Sequence, residues 1–578
     1  MRLITVMGPS HSGKSTLVAQ LAALDGHGAK VETAGHLALT SFSYLGEPWA
    51  AVDMAGGPEF ARMVGSPLMA SDAAVLCVPP DPDAAVLAAP YLRAIEASGT
   101  PCLIFVNQMD APKGRVRDIV AGLQAYTSHA IVLRQIPIRD GGQVVGAVDL
   151  ISERAWRYRP GQPSVLVEMP QGESAREQEA RAALLEHMSD FDDELLAELI
   201  EDHEPAKSAL FNIARRETSE SVILPCFMGS ATQLNGVTRL MKALRHEVPG
   251  VEALAARLGA PDALAAGFHA QNRKHLGKCL FLRALRPGVT QGTRLAGDTI
   301  GGLTSLVAKS AGSELAAGDI GLAVKADHLS CGMLFGADRA FAAPDWARPA
   351  PPSLERLLIA ASQRDEVRLS TALSRLCETD AALALRQDET SGHSVLRLQG
   401  PIHLRQTLSQ LAEDFGVEVT AEPTVPQYRE TISASVSELY RHRKQSGGAG
   451  QFADVALTIE PLPRGVGFQF SETVKGGAVP RNYIPAVEEG AREALAKGPL
   501  GFTVIDLSVT LTDGKFHAVD SSDFAFRTAG RQGVKEALTK AAPVLLQPVL
   551  QVELHIPSVF SGAMVSLISS LKGQVLGF

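Results

Sequence analysis

The chain lacks three signals that would assign a function class at once. Its six cysteines, Cys77, Cys102, Cys226, Cys279, Cys331 and Cys377, never form a C-x-x-C pair. That excludes a zinc-site spacing and a disulfide framework, and leaves reduced thiols as the default. No apolar run approaches the roughly 18 residues of a membrane span. The start, Met1 to Met7, reaches a glycine loop after one short apolar stretch, so it reads as a strand and not as a signal peptide. A cytoplasmic protein with no membrane partner is expected. Basic charge is not in excess either: Lys+Arg 54 against Asp+Glu 63 gives −9, which argues against coating of DNA by overall charge. A local basic surface stays open. What is present is a globular composition, 46% hydrophobic and 20% charged over 578 residues. At this length about three to five domains are expected, each with its own core.

The first chemical motif is Gly8-Pro9-Ser10-His11-Ser12-Gly13-Lys14-Ser15-Thr16, which fits G-x-x-x-x-G-K-[ST] after a strand and before the helical pattern Leu17 to Ala22. Such a loop wraps an anion with backbone N–H groups at a helix N-terminus; Lys14 reaches terminal phosphates and the Ser15 hydroxyl takes Mg²⁺. The bland alternative is an ordinary Gly/Ser-rich turn. Two apolar runs, 73–78 and 101–106, suit buried parallel strands. The second leads into Asn107-Gln108-Met109-Asp110, which resembles the N-K-x-D motif of GTP-binding proteins, where the Asp carboxylate accepts from guanine. Asp110 has that place. Met228-Gly229-Ser230-Ala231 resembles the loop whose backbone N–H meets the guanine carbonyl.

Four ordered blocks in the C-terminal half narrow the resemblance. Ser446-Gly447-Gly448-Ala449-Gly450-Gln451-Phe452, Lys475 to Val487, His517-Ala518-Val519-Asp520-Ser521-Ser522-Asp523 and Pro543 to Pro548 resemble the fourth-domain motifs of elongation factor G. The resemblance implies a multi-domain α/β and α+β chain. A P-loop GTP-binding domain spans 1–250 with an insertion at about 128–220, a β-barrel domain 263–340, and an α+β domain of split βαβ type 353–423. A fourth domain with an RNA-contacting tip spans 424–547, and 548–578 begins like a fifth domain, with a strand from Val549 and a helix near Ser566 to Lys572. It implies GTP or GDP with Mg²⁺ as ligands, and a monomer whose partner is the ribosome, meeting rRNA, tRNA and mRNA at the decoding region. The activity implied is tRNA–mRNA translocation or ribosome disassembly. A degenerate ribosome-binding paralogue with little hydrolysis and a ribosome-protection GTPase are the alternatives.

Carried over residue by residue, the resemblance assigns nucleotide contacts to Gly8 through Thr16, to Asp53 and Gly56, to Asn107, Gln108 and Asp110, and to Ser230 and Ala231. It assigns metal contacts to Ser15, to Asp53 through water and to Thr33, and RNA contacts to Gly447, Gly448, Gln451, His517, Ser521 and Ser522. The departures concentrate near the chemistry. Asp53-Met54-Ala55-Gly56-Gly57-Pro58-Glu59-Phe60 occupies the place of D-T-P-G-H-[VI]-D-F, so the family's water-positioning histidine falls on Gly57. No catalytic residue is assigned, and slow hydrolysis with nearly intact binding is expected. Gln108 replaces the lysine of N-K-x-D, and His11 replaces an Asp. The 36 residues from 17 to 52 are too few for the family's full first switch. Thr33 is the first candidate for a Mg²⁺-sensing threonine and Thr40 the second, against the alternative that neither binds metal. The basic run Tyr440 to Gln445 reads either as phosphate contact with rRNA or as a charged edge strand.

Overall fold

The computed structural model describes all residues except 27–28, 171, 274, 307–313, 389–390 and 446–449. It divides into two units, Met1–Thr424 and Val425–Phe578.

The first unit is built on an eight-stranded sheet. Its spatial order is Lys30–Ala34, Leu37–Tyr44, Glu47–Met54, Arg2–Met7, Ala73–Val78, Cys102–Val106, Ile223–Met228, Ala130–Leu133. Arg2–Met7 pairs in parallel on both sides, with Glu47–Met54 and Ala73–Val78, so its C-terminal end opens between two strand ends where the glycine loop follows. Ala73–Val78 and Cys102–Val106 are buried along their whole length, as continuous apolar runs covered on both faces must be. Helix Lys14–Ala23 and helix Val237–Glu247 cover one face, and helices Ala89–Ser98 and Val116–Gln124 cover the other.

Between Ala130–Leu133 and Ile223–Met228 the chain inserts a four-stranded antiparallel sheet and three helices. The strands are Gln135–Asp140, Gln143–Asp149, Arg154–Arg159 and Gln162–Val167. The helices are Ser174–Ser189, Asp193–Ile200 and Lys207–Ser219, and they share a separate core around Val148, Leu184, Met188 and Leu210. Next comes a six-stranded antiparallel sheet centred on Ala265–Arg273 and Gly277–Ala284. A ferredoxin-like α+β module follows, with strand order Ala384–Gln387, Ser394–Leu398, Leu354–Ala360, Val419–Glu422 and helices Glu366–Thr379 and Pro401–Phe415.

The second unit pairs a four-stranded sheet, in the order Val436–Lys444, Gln451–Pro461, Leu507–Lys515, Phe468–Glu472, with a three-stranded one built on Arg429–Ile432. Helices Ile484–Leu495 and Asp523–Lys540 lie over the larger sheet and against each other. They approach closely because small residues face the contact: a Cβ on Gly490 would stand 2.1 Å from the Arg527 carbonyl oxygen. The mixed α/β, multi-domain class expected from sequence is therefore the class observed. The terminal segment differs from expectation. Helix Ser561–Ser570 forms, yet no strand begins at Val549, and Val549 and Leu550 are more than four-fifths exposed. Residues 549–557 pair with no strand of any sheet among the described residues, so their N–H and C=O groups are left to solvent.

Candidate functional site

The phosphate loop is shaped by residues whose side chains are absent or turned inward. Gly8 has φ +145°, and a Cβ there would stand 2.1 Å from the Cys77 carbonyl oxygen, so the loop can leave the sheet only on a glycine. Three ties hold its middle. Asn107 Nδ2 donates to the Ser12 carbonyl at 2.8 Å, the Cys77 thiol donates to the same carbonyl at 3.2 Å, and Gln108 Nε2 donates to the His11 carbonyl at 3.0 Å. Gln108 thus bridges to the loop from the position of the expected lysine. Lys14 Nζ is buried and donates to the Pro9 carbonyl at 2.8 Å. Burial pulls its pKa down, and the nearby Cys77 and Asp53 push it back up.

Opposite the loop, burial raises the Asp53 pKa while the Ser15 hydroxyl, hydrogen-bonded to it, and Lys14 lower it. Asp53 Oδ1 is buried and has no hydrogen-bond partner. A hydroxyl and an orphaned carboxylate oxygen side by side are hard oxygen donors of the kind Mg²⁺ takes. Gly56 follows, packed so tightly that a Cβ would stand 2.6 Å from Lys14 Nζ. Gly57 has φ 125° and ψ 158°, and its Cβ position faces Ser10 Oγ at 3.6 Å. Its peptide is gripped at both ends by Tyr91, whose hydroxyl accepts from Gly57 N–H at 3.3 Å and donates to Gly57 O at 3.2 Å.

The base side of the site is assembled across 124 residues: Asn107 Oδ1 accepts the Ala231 N–H at 2.8 Å. That takes up the amide which the sequence reading reserves for the guanine carbonyl. Asp110 stands exposed at the end of the same loop. Ser230 closes the turn through a bridge to Asn235 and shares a hydrogen bond with Thr232 at 3.0 Å.

Three models of protein families match: the elongation factor Tu GTP binding domain over residues 1–250, elongation factor G domain III over 350–423 and elongation factor G domain IV over 423–542. The chain belongs to the elongation factor G family. It is 32% identical to an elongation factor G-like protein of Synechocystis sp., a match covering 100% of this chain and 90% of that one. It is 30% identical to elongation factor G of Dinoroseobacter shibae, over 91% of this chain and 79% of the relative. A crystal structure of a protein from Thermus thermophilus superposes with a TM-score of 0.80 at 26% identity, covering 100% of this chain and 90% of that one. As an elongation factor G family member the chain is a translational GTPase with a guanine-nucleotide domain, and factors of this family act on the ribosome. Among the described residues no helix is long and apolar enough to cross a membrane.

Several sites expected in this elongation factor G relative are placed elsewhere by the structure. Thr33 lies on the exposed edge strand Lys30–Ala34, in a cross-strand row with Ala38 and then Asp53. Two strand spacings of ~4.8 Å put it about 10 Å from Asp53, too far to share one ion in this arrangement. Thr40 is buried two rows further along, opposite Ala51. Glu59, two residues beyond Gly57, is committed to the α+β module. Its carboxylate accepts from the Ile402 and His403 N–H groups at 3.2 and 2.8 Å, capping helix Pro401–Phe415. Phe60 stacks on His36 with ring centroids 5.8 Å apart, and His403 pairs with Asp380 at 2.9 Å. Tyr91 and the capping role of Glu59 had no signal in the sequence, because neither sits in a motif and their partners lie far along the chain.

At the tip of the second unit, Ser446, Gly447, Gly448 and Ala449 lie outside the described residues. The described end of that loop runs beside the other one: Phe452 N–H donates to the Asp520 carbonyl at 2.8 Å, and Phe452 packs edge-on against His517. Ser521 and Ser522, assigned above to RNA contact, are taken up internally. The Ser521 hydroxyl donates to the Phe452 carbonyl at 2.7 Å and accepts from His517 N–H, and Ser522 caps helix Asp523–Lys540. Gln451 Oε1 meets His442 Nε2 at 2.9 Å, and His517, 55% exposed, pairs with Asp520 at 3.0 Å. The run Tyr440 to Lys444 is an edge strand, and Arg441 is held by Asp454 through three hydrogen bonds.

Proposed function

We propose that this protein is a guanine-nucleotide switch of the ribosome that hydrolyses GTP slowly. The observation that carries the reading is Gly57: the position that faces the phosphate loop across 3.6 Å to Ser10 Oγ has no side chain to orient a water. Its neighbours do not replace it. Both Glu59 oxygens are engaged on backbone N–H groups, and burial pushes the Tyr91 phenol up to about 12, so it stays protonated and is no base near neutrality. Catalysis in phosphoryl transfer rests on positioning and charge stabilisation, so binding can persist where turnover fails.

In this reading the Gly8 to Thr16 loop and Gly56 hold the phosphates, Lys14 neutralises them, and Asp110 and Gln108 select guanine, with Asn107 bracing the Ser230-Ala231 loop beside the base. Ser15 and, through water, Asp53 hold Mg²⁺, which shields phosphate charge. Among the described residues no three His, Cys, Asp or Glu side chains cluster as a metal cage, so the ion would depend on nucleotide oxygens for its remaining ligands. Gln451 and His517 at the tip are the groups offered to RNA at the decoding region, with Gly447 and Gly448 before them.

A second reading, a hydrolysing translocation or disassembly factor, is favoured by the adjacency of the two tip loops, which supports a reaching role that does not depend on turnover. Ribosome-stimulated GTP turnover of the purified protein separates the two. Turnover at or below the ribosome-free rate, with GTP binding intact, supports the slow switch. A rate equal to that of an elongation factor G with the histidine present refutes it.

A further inference from the structure

The insertion in the GTP-binding domain carries a cleft of about 590 Å³ that takes no part in the phosphate site. Its walls come from strand Arg154–Arg159, helix Lys207–Ser219 and helix Val237–Glu247. Alternation along the strand turns Ala155 into the insertion core and brings Arg154, Trp156 and Tyr158 to the opposite face, which lines the cleft. Among the described residues four cations line it, Arg154, Lys207, Arg239 and Lys242, and no carboxylate does. Two are neutralised from behind, Lys207 by Glu153 and Arg239 by Asp149. The side chains of Arg154 and Lys242 are exposed and have no ion pair or hydrogen bond among the described residues. Between the cations stand half-buried Trp156, Tyr158 and Phe211. The cleft adjoins the loop that carries Ser230 and Ala231. Gly236 lines it, the Tyr158 hydroxyl donates to the Met228 carbonyl at 3.5 Å, and Gly161 N–H donates to the Gln233 carbonyl at 3.2 Å.

We propose that this cleft is a second ligand site, for an aromatic organic phosphate of nucleotide size. The volume lies in the range of small-molecule sites, which combine apolar walls with a few convergent polar groups. Unpaired cations call for an anion, and the half-buried aromatic rings that line the cleft beside them call for a planar group that stacks. An acidic peptide would satisfy the charge and leave Trp156 and Phe211 without a ring to stack on. Through Gly236 and the Gly161 contact, occupancy bears on the loop that the proposed function assigns to the guanine base.

The test uses the full chain with the phosphate loop saturated by GDP, so that ADP, which Asp110 does not select, probes only the second site. Binding is followed by calorimetry and by tryptophan fluorescence. One ADP is expected per chain, with a fluorescence change that Trp156→Phe removes. Arg154→Ala with Lys242→Ala should weaken ADP at least tenfold and leave GDP affinity unchanged, since both residues are exposed and neither belongs to the Gly8 to Thr16 loop or to the Ser230-Ala231 turn. Lys14→Ala should weaken GDP and leave ADP binding as it was, which keeps failure of the phosphate-loop assignment distinct from failure of this one. No ADP binding at millimolar concentration, binding indifferent to the double substitution, or loss of ADP in Lys14→Ala overturns the proposal. So does a polyglutamate peptide that binds through Arg154 and Lys242 where ADP does not, which would make the surface a protein-docking site.

Discussion

Replacing Gly57 by His tests the slow-switch reading, and the structure alters what the experiment must control. Space is available, because a Cβ at position 57 meets only Ser10 Oγ at 3.6 Å, an ordinary contact. The backbone is the obstacle: φ 125° with ψ 158° is a region that side chains rarely enter, at a cost of about 1–3 kcal/mol. Gly57→His and Gly57→Ala carry the same strain, so both should lower the melting temperature of the nucleotide-free protein. At about 2–4 °C per kcal/mol for a domain of this size, the fall should be about 2–12 °C. Only His adds an imidazole, and a positioned proton-handling side chain contributes about 10²–10⁴ in rate. The informative quantity is therefore the ratio of ribosome-stimulated turnover between the two variants, measured at saturating GTP. A ratio of at least ten is expected. If both variants bind GTP and turn over equally, the missing side chain is not the cause of slow hydrolysis. If neither shifts the melting temperature, Tyr91 does not enforce the observed conformation at Gly57.

Four further outcomes are expected. With the second cleft disabled by Arg154→Ala and Lys242→Ala, GTP and GDP should bind the phosphate loop in calorimetry and ATP should not, and Lys14→Ala should remove the main phosphate cation; ATP binding at the loop as tight as GTP contradicts the guanine assignment. Glu59→Ala leaves the Ile402 and His403 N–H groups without their cap, so helix Pro401–Phe415 should lose about 0.5–2 kcal/mol. Hydrogen exchange at those two amides should then speed up while Leu396 stays protected. Glu217 is buried, neither carboxyl oxygen has a hydrogen-bond partner, and burial pushes it up to about 8. Its folded form therefore holds a proton that the unfolded form releases above its ordinary value, and stability should fall as pH rises from about 5 to 8, by at most ~1.4 kcal/mol per unit. Glu217→Gln should flatten that slope in chemical denaturation; an unchanged slope means that another group carries it. His517→Ala with Gln451→Ala should leave GTP affinity intact and weaken tRNA movement or release in a reconstituted ribosome assay. Full activity of the folded double variant would make the tip structural.

What the amino-acid order determined alone was whatever is local. The phosphate loop was legible because glycines, Lys14 and Ser15 act within nine consecutive positions, where backbone conformation suffices to bring them together. The strands 73–78 and 102–106 were legible because burial on both faces leaves an unbroken apolar run. The fourth-domain blocks were recognisable because each runs through consecutive residues of the sequence.

Tertiary structure decided the partners. Ala231 was assigned to the base, but its N–H is spent on Asn107, and Ser521 and Ser522 close a turn and cap a helix. Thr33 looked suited to a metal until the shortened segment folded as an edge strand two strands away from Asp53. Glu59 is tied to His403, a contact 344 positions along the chain, and Tyr91 grips Gly57 from helix Ala89–Ser98. A carboxylate or hydroxyl has the same chemistry in every sequence context. Which N–H or C=O it satisfies depends on what the folded chain brings within about 3 Å of it, and burial then fixes the choice because an unpaired polar group there is costly.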